Sequence, residues 1–307
     1  MQKQSEYEKL AVRLERAMAY QAALILFEWD NETLAPEQAG SYTAKVQGNL
    51  SAAYQEIMTS EETRELISRC EEAVGQEGAA QRVREEAQSG AVLTPVQCAI
   101  VREAREESDQ LSCIPPEEYR AYQELVAEST RVWVNARKNQ DFDAFAPTLE
   151  KIIDYQKRFA GYKAKNGQKL YDVMLDTYEK GFNMEKLDVF FGELKEELVP
   201  LLRKVMESPV KIADDFLCGG YSEEKQRKLA EELAKYVGFD FGKGVLAESA
   251  HPVTTNLHNH DVRITTHYGE RLDSSLFSVI HESGHAVYEL GIDEELTQTL
   301  VGQSPFS

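Results

Sequence analysis

Asp261-Val262-Arg263-Ile264-Thr265-Thr266, then Asp273-Ser274-Ser275, then His281-Glu282-Ser283-Gly284-His285, is the stretch whose reading decides the fold. Its first six residues alternate polar with β-branched side chains, the two-residue period of a half-buried strand. Just upstream, Thr254-Thr255-Asn256-Leu257-His258-Asn259 is short of helix formers, so a pair of short strands, a small hairpin or sheet, is expected within about residues 251–268. Asp273-Ser274-Ser275 reads as the cap of a helix over about 274–290 that carries both later histidines. On that helix residues four apart share a face, so His281 and His285 can reach one metal ion. Glu282, beside the first of them, is then placed to act as general base toward water.

Zinc suits such a site because it is redox-inert and can keep one coordination position open; cobalt would also fit. All six histidines of the chain lie between positions 251 and 285. Leu276, Phe277, Val279, Ile280, Ala286 and Val287 surround the motif and predict a half-buried helix. Two histidines do not complete a catalytic zinc site, which takes three protein ligands and water. Glu289, one turn beyond His285, reads as a solvated helix residue. Asp293, Glu294 and Glu295 read as the acidic first turn of a further helix running into Leu300 rather than as ligands that fold back. Arg263 has two readings that residue chemistry leaves open: a planar clamp for a substrate carboxylate, or a strand arginine paired with Asp261 or a surface acid. Trp29-Asp30, Tyr171 and Tyr178 read as core or interface residues.

Upstream of this region the chain reads as helix after helix. Leu10, Ala11, Leu14, Met18, Ala22, Ile25 and Leu26 recur at helical spacing between Tyr7 and Trp29, and the helix should stop before Pro36. A second helix is expected from Ser41 to Val74, followed by a polar segment, Gly75 to Gly90, that is a weakly packed helix or a loop. Thr94-Pro95 and Pro115-Pro116-Glu117-Glu118 open two more helices, ending near Ser112 and Lys138. Asp143 to Ala164 turns Phe145, Leu149, Ile152, Ile153 and Phe159 inward, and Met184 to Met206 carries a strong apolar stripe. Ser222 caps a helix to Val237. The expected fold class is all-α, a single mostly helical domain over 1–307, with the small sheet beside the HExxH helix.

Fifty-three acidic against 34 basic residues give a formal charge of -19. That balance repels a phosphate backbone and excludes nucleic acid as an expected partner. Cys70, Cys98, Cys113 and Cys218 show no CxxC spacing and read as free thiols of a reducing compartment. Charged residues interrupt positions 1–20, so no signal-peptide core is expected there, and no apolar run reaches the length of a membrane span. A cytoplasmic location is expected.

The sequence resembles the carboxypeptidase Taq family of zinc metallocarboxypeptidases. Phe27-Glu28-Trp29-Asp30-Asn31-Glu32-Thr33 followed by Pro36 looks like that family's tryptophan-aspartate helix end. Tyr171–Glu179 and Leu194–Leu202 are similar to its core helices. His251-Pro252-Val253 resembles its HPF motif, with Val253 for phenylalanine. Asp261 to Thr265 matches its DxRxT motif, and His281 to His285 its HExGH site. The resemblance implies a mostly helical, cleft-bearing fold and an enzyme that removes C-terminal residues from peptides with broad specificity, sparing proline, and assembles as a homodimer. It implies His281 and His285 as metal ligands, Glu282 as the group that activates water, Arg263 in the substrate region, and His251 and His260 lining the site.

In the family a glutamate of a later HES-type motif completes the zinc site, and nothing in 286–307 matches it. Up to Gly302 the chain looks family-like, whereas Gln303–Ser307 looks foreign. The expectation is therefore a C-terminally truncated member, with weak or absent zinc occupancy, little turnover, and an apolar helix face over 276–287 prone to self-association. A helical scaffold or dimerisation module that retains a relic of the site is the competing class.

Overall fold

The computed structural model describes residues 5–75, 93–165 and 167–303. Among them are ten α-helices and one three-stranded sheet, a mostly helical fold with the sheet against the HESGH helix. Helix α1 spans Glu6–Thr33. Ser5 caps it: its hydroxyl accepts from the Glu8 backbone N–H while the Glu8 side chain accepts from the Ser5 N–H.

Helices α2 (Gly40–Thr59) and α3 (Glu61–Gly75) replace the one helix expected from Ser41 to Val74. The break is at Ser60, whose extended backbone and side chain start a new helix with Glu61 and Glu62 in its first turn. Arg13 of α1 donates to Ser60 and Thr63 at 2.8 and 2.7 Å and pairs with Glu62, so the break is also a docking point for α1. The polar segment 75–90 lies outside the described residues beyond Gly75.

Helix α4 (Pro95–Ser112) opens with a capping box between Thr94 and Gln97, and α5 (Pro116–Asn139) opens on its proline, as expected from sequence. Leu10 and Leu14 of α1, Met58 of α2, Ile67 of α3 and Ile100 and Val101 of α4 make the larger core. Helix α6 (Phe142–Lys163) packs on α5 and buries Phe159, but Ile153 is exposed rather than inward. Helix α7 (Leu170–Tyr178) is short, and Tyr171 and Tyr178 are exposed, not core. Helix α8 (Met184–Met206) has the predicted span but buries none of its residues.

A second core sits around the sheet. Helix α9 (Glu223–Val237) starts after Ser222, although that side chain makes no capping bond. It ends at Gly238, whose φ of 113° only glycine adopts readily. Strands β1 (Gly244–Glu248), β2 (Thr254–His258) and β3 (Asp261–Thr266) follow, in the order β1-β3-β2. β2 and β3 form the expected antiparallel hairpin, while β1 pairs parallel with β3 and was not expected. At Gly244 a Cβ would lie 2.4 Å from the Phe239 ring and 2.5 Å from the Val262 carbonyl oxygen, so the β1–β3 approach requires glycine.

Val262 and Ile264 of the central strand pack on Val279 and Ala286 of α10 (Leu272–Leu290) and on Ala230 and Ala234 of α9. The residue preceding α10 is Arg271, which holds Asp273 at 2.9 and 3.1 Å, so Asp273 belongs to the first turn and is not the cap. Beyond α10, the expected helix into Leu300 is absent among the described residues: 292–303 runs in turns. Glu294 folds back instead and accepts from the Asn259 side chain at 3.1 Å in the hairpin turn.

Candidate functional site

Helix α10 lies across the sheet with Val279, Ser283 and Ala286 facing the core. That orientation follows from the apolar stripe, and it fixes where the motif residues point. Glu282 turns toward β2 and is buried, whereas His281 and His285 are exposed on the same helix. Their Nε2 atoms are 3.2 Å apart, with ring centroids at 4.7 Å and near-perpendicular planes. Two imidazoles bound to one tetrahedral zinc, each at about 2.0–2.1 Å, need their nitrogens about 3.3 Å apart. The spacing fits a shared divalent ion, and neutral imidazole nitrogens are suitable donors for it. Among the described residues no group of three or more His, Cys, Asp or Glu comes together to hold an ion by itself.

The Glu282 carboxylate is anchored on one side. Thr254 Oγ1 donates to Glu282 Oε2 at 2.6 Å and also lies 3.1 Å from the Glu282 carbonyl oxygen. Two residues along β2, the Asn256 amide donates to Glu289 Oε2. A strand places residues two apart on one face, and a helix places residues seven apart two turns up the same face. So β2 and α10 meet through two matched pairs, Thr254–Glu282 and Asn256–Glu289. Neither Thr254 nor Asn256 was singled out from sequence, because their partners emerge only where β2 packs against α10. Glu289 is thus tied to the sheet rather than solvated.

These pairs line a cleft of about 550 Å³ together with His285, Val253, Ile25 and Glu28. Among the described residues its lining carries carboxylates (Glu28, Glu282, Glu289) and no lysine or arginine, so its charge favours a cation. Burial raises the Glu28 pKa, and the neighbouring Glu32 raises it further. Glu32 is also raised by burial, opposed by His251.

Arg263, His251 and His260 are not among the side chains lining this cleft. Arg263 spends its fork on Asp261, at 2.8 and 2.7 Å, and its guanidinium lies 4.8 Å from the centroid of the buried Trp29 ring. It joins β3 to α1, and the ion pair with Asp261 holds its pKa up. His251 is exposed on the 249–253 loop, whose path is set by Thr265: its hydroxyl accepts from Ser249 at 2.7 Å and from the Val253 N–H at 2.9 Å. Arg137 of α5 adds a bond to the Ala250 carbonyl at 2.8 Å. His260 is in the hairpin turn, with Nε2 3.8 Å from Glu294. The structure therefore gathers His281, Glu282 and His285 and spreads the other three around them.

A helix that presents two converging imidazoles and a buried, anchored glutamate beside a short sheet is the geometry that an HExxH motif needs to hold a metal ion next to a carboxylate. Residues 9–305 match the family described as carboxypeptidase Taq (M32) metallopeptidase, and the chain belongs to that family. It is 34% identical over 287 residues to carboxypeptidase 1 of Bacillus subtilis, covering 93% of this chain and 54% of that protein. Its fold is similar to the crystal structure of BsuCP, with a TM-score of 0.87, 33% identity, and 97% and 57% of the two chains covered. It is also similar to the M32 carboxypeptidase from Deinococcus radiodurans R1, with a TM-score of 0.78, 28% identity, and coverage of 97% and 56%. The chain spans about half the length of the curated relatives it matches. No helix among the described residues is long and apolar enough to cross a membrane.

Proposed function

We propose that this chain contributes the HExxH part of a metallocarboxypeptidase centre, acting on peptide C-termini. The observation that carries this reading is the 3.2 Å convergence of the His281 and His285 Nε2 atoms beside the buried Glu282. His281 and His285 would hold the ion, with zinc the best match to imidazole donors and cobalt an alternative. When bound, such an ion polarises a carbonyl and makes water more acidic. Thr254 fixes Oε2 of Glu282, which leaves Oε1 to take the proton of the attacking water and return it to the leaving amine. The acidic cleft draws in the ion. His251, His260 and Arg263 act on the periphery, shaping the walls through the 249–253 loop, the hairpin turn and Trp29.

With two imidazoles as the donors in the described residues, this polypeptide binds its ion loosely and turns over slowly on its own. The scaffold reading has one observation in its favour, the unburied apolar face of α8, which suits self-association or a homodimer. A cytoplasmic location is consistent with four free cysteines.

Metal content and affinity of the chain, compared with His281→Ala, test the proposal. Weak zinc binding, at one ion per chain and abolished in the variant, is expected. Tight stoichiometric zinc would mean that a third ligand is recruited from this chain or a second copy. Zinc uptake that His281→Ala leaves unchanged would remove the proposed centre and put the scaffold reading first.

A further inference from the structure

A second cavity, of about 270 Å³, opens among α4, α5, α6 and α7. One side of its wall is aromatic and aliphatic: Tyr122 and Phe159 meet edge-on at 5.2 Å, with Tyr119, Leu111 and Ile114 beside them, while Gln110, Gln156 and Thr177 add polar groups. Two charged groups face into it from different helices, Glu107 on α4 and Lys163 at the end of α6. Tyr54 donates to Glu107 Oε1 at 3.0 Å, while no donor among the described residues reaches Oε2. Lys163 Nζ has one long bond, to Gln110 Oε1 at 3.3 Å, which leaves most of its donor capacity unused.

The two groups feel one another's charge without closing an ion pair. Burial raises the Glu107 pKa, against the bond from Tyr54 and the charge of Lys163. Burial lowers that of Lys163, against the charge of Glu107. Both charged forms are thus short of solvation, and a partner bearing the opposite charges would relieve both.

We propose that this cavity binds a free α-amino acid with an aromatic or large aliphatic side chain, its ammonium on Glu107 Oε2 and its carboxylate on Lys163 Nζ. The side chain lies against Tyr119, Tyr122 and Phe159. A free amino acid carries its two charges on adjacent atoms of one small frame, which suits two facing but unpaired groups. The volume lies just below the usual range for ligand sites, about 300–1,000 Å³, which suits one amino acid better than a longer peptide. Peptides, which separate their terminal charges, cannot satisfy both groups at once. The site is independent of the HExxH centre, although a carboxypeptidase would release ligands of this class.

Calorimetry on the 307-residue chain tests this with L-phenylalanine, N-acetyl-L-phenylalanine and L-phenylalaninamide. L-Phenylalanine should bind, and each of the others, lacking one charge, should bind on the order of tenfold or more weaker. Lys163→Met should weaken L-phenylalanine by a similar factor, while His281→Ala should leave its affinity unchanged. Equal binding of all three compounds, or no heat with L-phenylalanine up to about 10 mM, would overturn the proposal. So would loss of binding in His281→Ala with retention in Lys163→Met, which would move the ligand to the metal centre. Should Lys163→Met fail to fold, the three-compound series on the unaltered chain decides.

Discussion

Helices α1 and α8 are both long and both carry an apolar stripe, yet they end up in opposite environments. α1 buries Leu10, Leu14, Ala17, Met18 and Trp29 among α2, α3 and β2. α8 leaves Phe190, Phe191, Leu194, Leu198, Leu201 and Leu202 exposed and touches little but α7. A periodic stripe specifies which side of a helix wants to leave water; it carries no information about what arrives to cover it. In α1 the polar face also helps, because Arg13 and the Ser5 cap bind specific partners on α3 and at the helix start.

The contrast is broken most directly by mutation in the two stripes. Ile67→Ala or Leu10→Ala removes a fully buried side chain and should cost about 2–5 kcal/mol by urea denaturation. Leu198→Ala, with its side chain already exposed, should fall within about 0.5 kcal/mol of the parent. Similar costs at both positions would show α8 to be packed in solution.

Cysteine chemistry sharpens the same comparison. Cys70 is enclosed in the larger core, and burial beside Glu6 and Glu71 pushes its thiol up to about 11. Cys218, just before α9, is exposed. At pH 8 the Cys70 thiolate is therefore far scarcer than that of an ordinary thiol. Alkylation followed by peptide mass spectrometry should label Cys218 first and Cys70 last, and comparable rates would mean that the core opens readily.

Arg263 links the sheet to α1, since it belongs to β3 and stacks on Trp29. Arg263→Ala should lower stability by about 1–2 kcal/mol, the combined scale of a half-buried ion pair and a cation–π contact. Arg263→Lys should recover only part of that, because lysine lacks the planar fork that Asp261 accepts. Full recovery in a thermal melt would mean that charge alone matters there.

A smaller effect is expected at Glu107, whose pKa is raised in the folded chain by burial. A raised carboxyl binds its proton more tightly when folded. Its contribution is therefore present below the ordinary carboxylate range and lost as pH rises through the folded value. Glu107→Gln should flatten that fall in a stability–pH profile, and an unchanged profile would place the titration elsewhere.

Much of this was legible in the sequence where chemistry is local. The Thr94–Gln97 capping box, the Pro116 start and the hairpin around Asn259-His260 rest on neighbours within a few residues. So does the convergence of His281 and His285, four apart on one helix. The parts that were not legible depend on distant partners. β1 needs Gly244 to slide under Phe239 and Val262, and Glu294 leaves a helical prospect for a bond to Asn259. Thr254 acquires meaning only once β2 is laid against α10. The site follows the same rule: its motif was visible, while the residues that anchor it were not.

The smallest expected change in folding stability is also the one that says most about α8. Replacing Phe191 and Leu198 by glutamate removes apolar surface that is already in water, so chemical denaturation should shift by no more than about 0.5 kcal/mol per site. Association should respond differently, because a charged residue placed inside a shared apolar face must be desolvated when that face is covered. The unaltered chain should therefore bind an apolar dye and sediment above its monomer mass at high concentration. The double variant should do neither while melting at nearly the same temperature. If both proteins sediment as monomers and neither binds dye, the α8 stripe is not an association surface. If the variant unfolds instead, α8 already has a partner within the chain, and the contrast with α1 disappears.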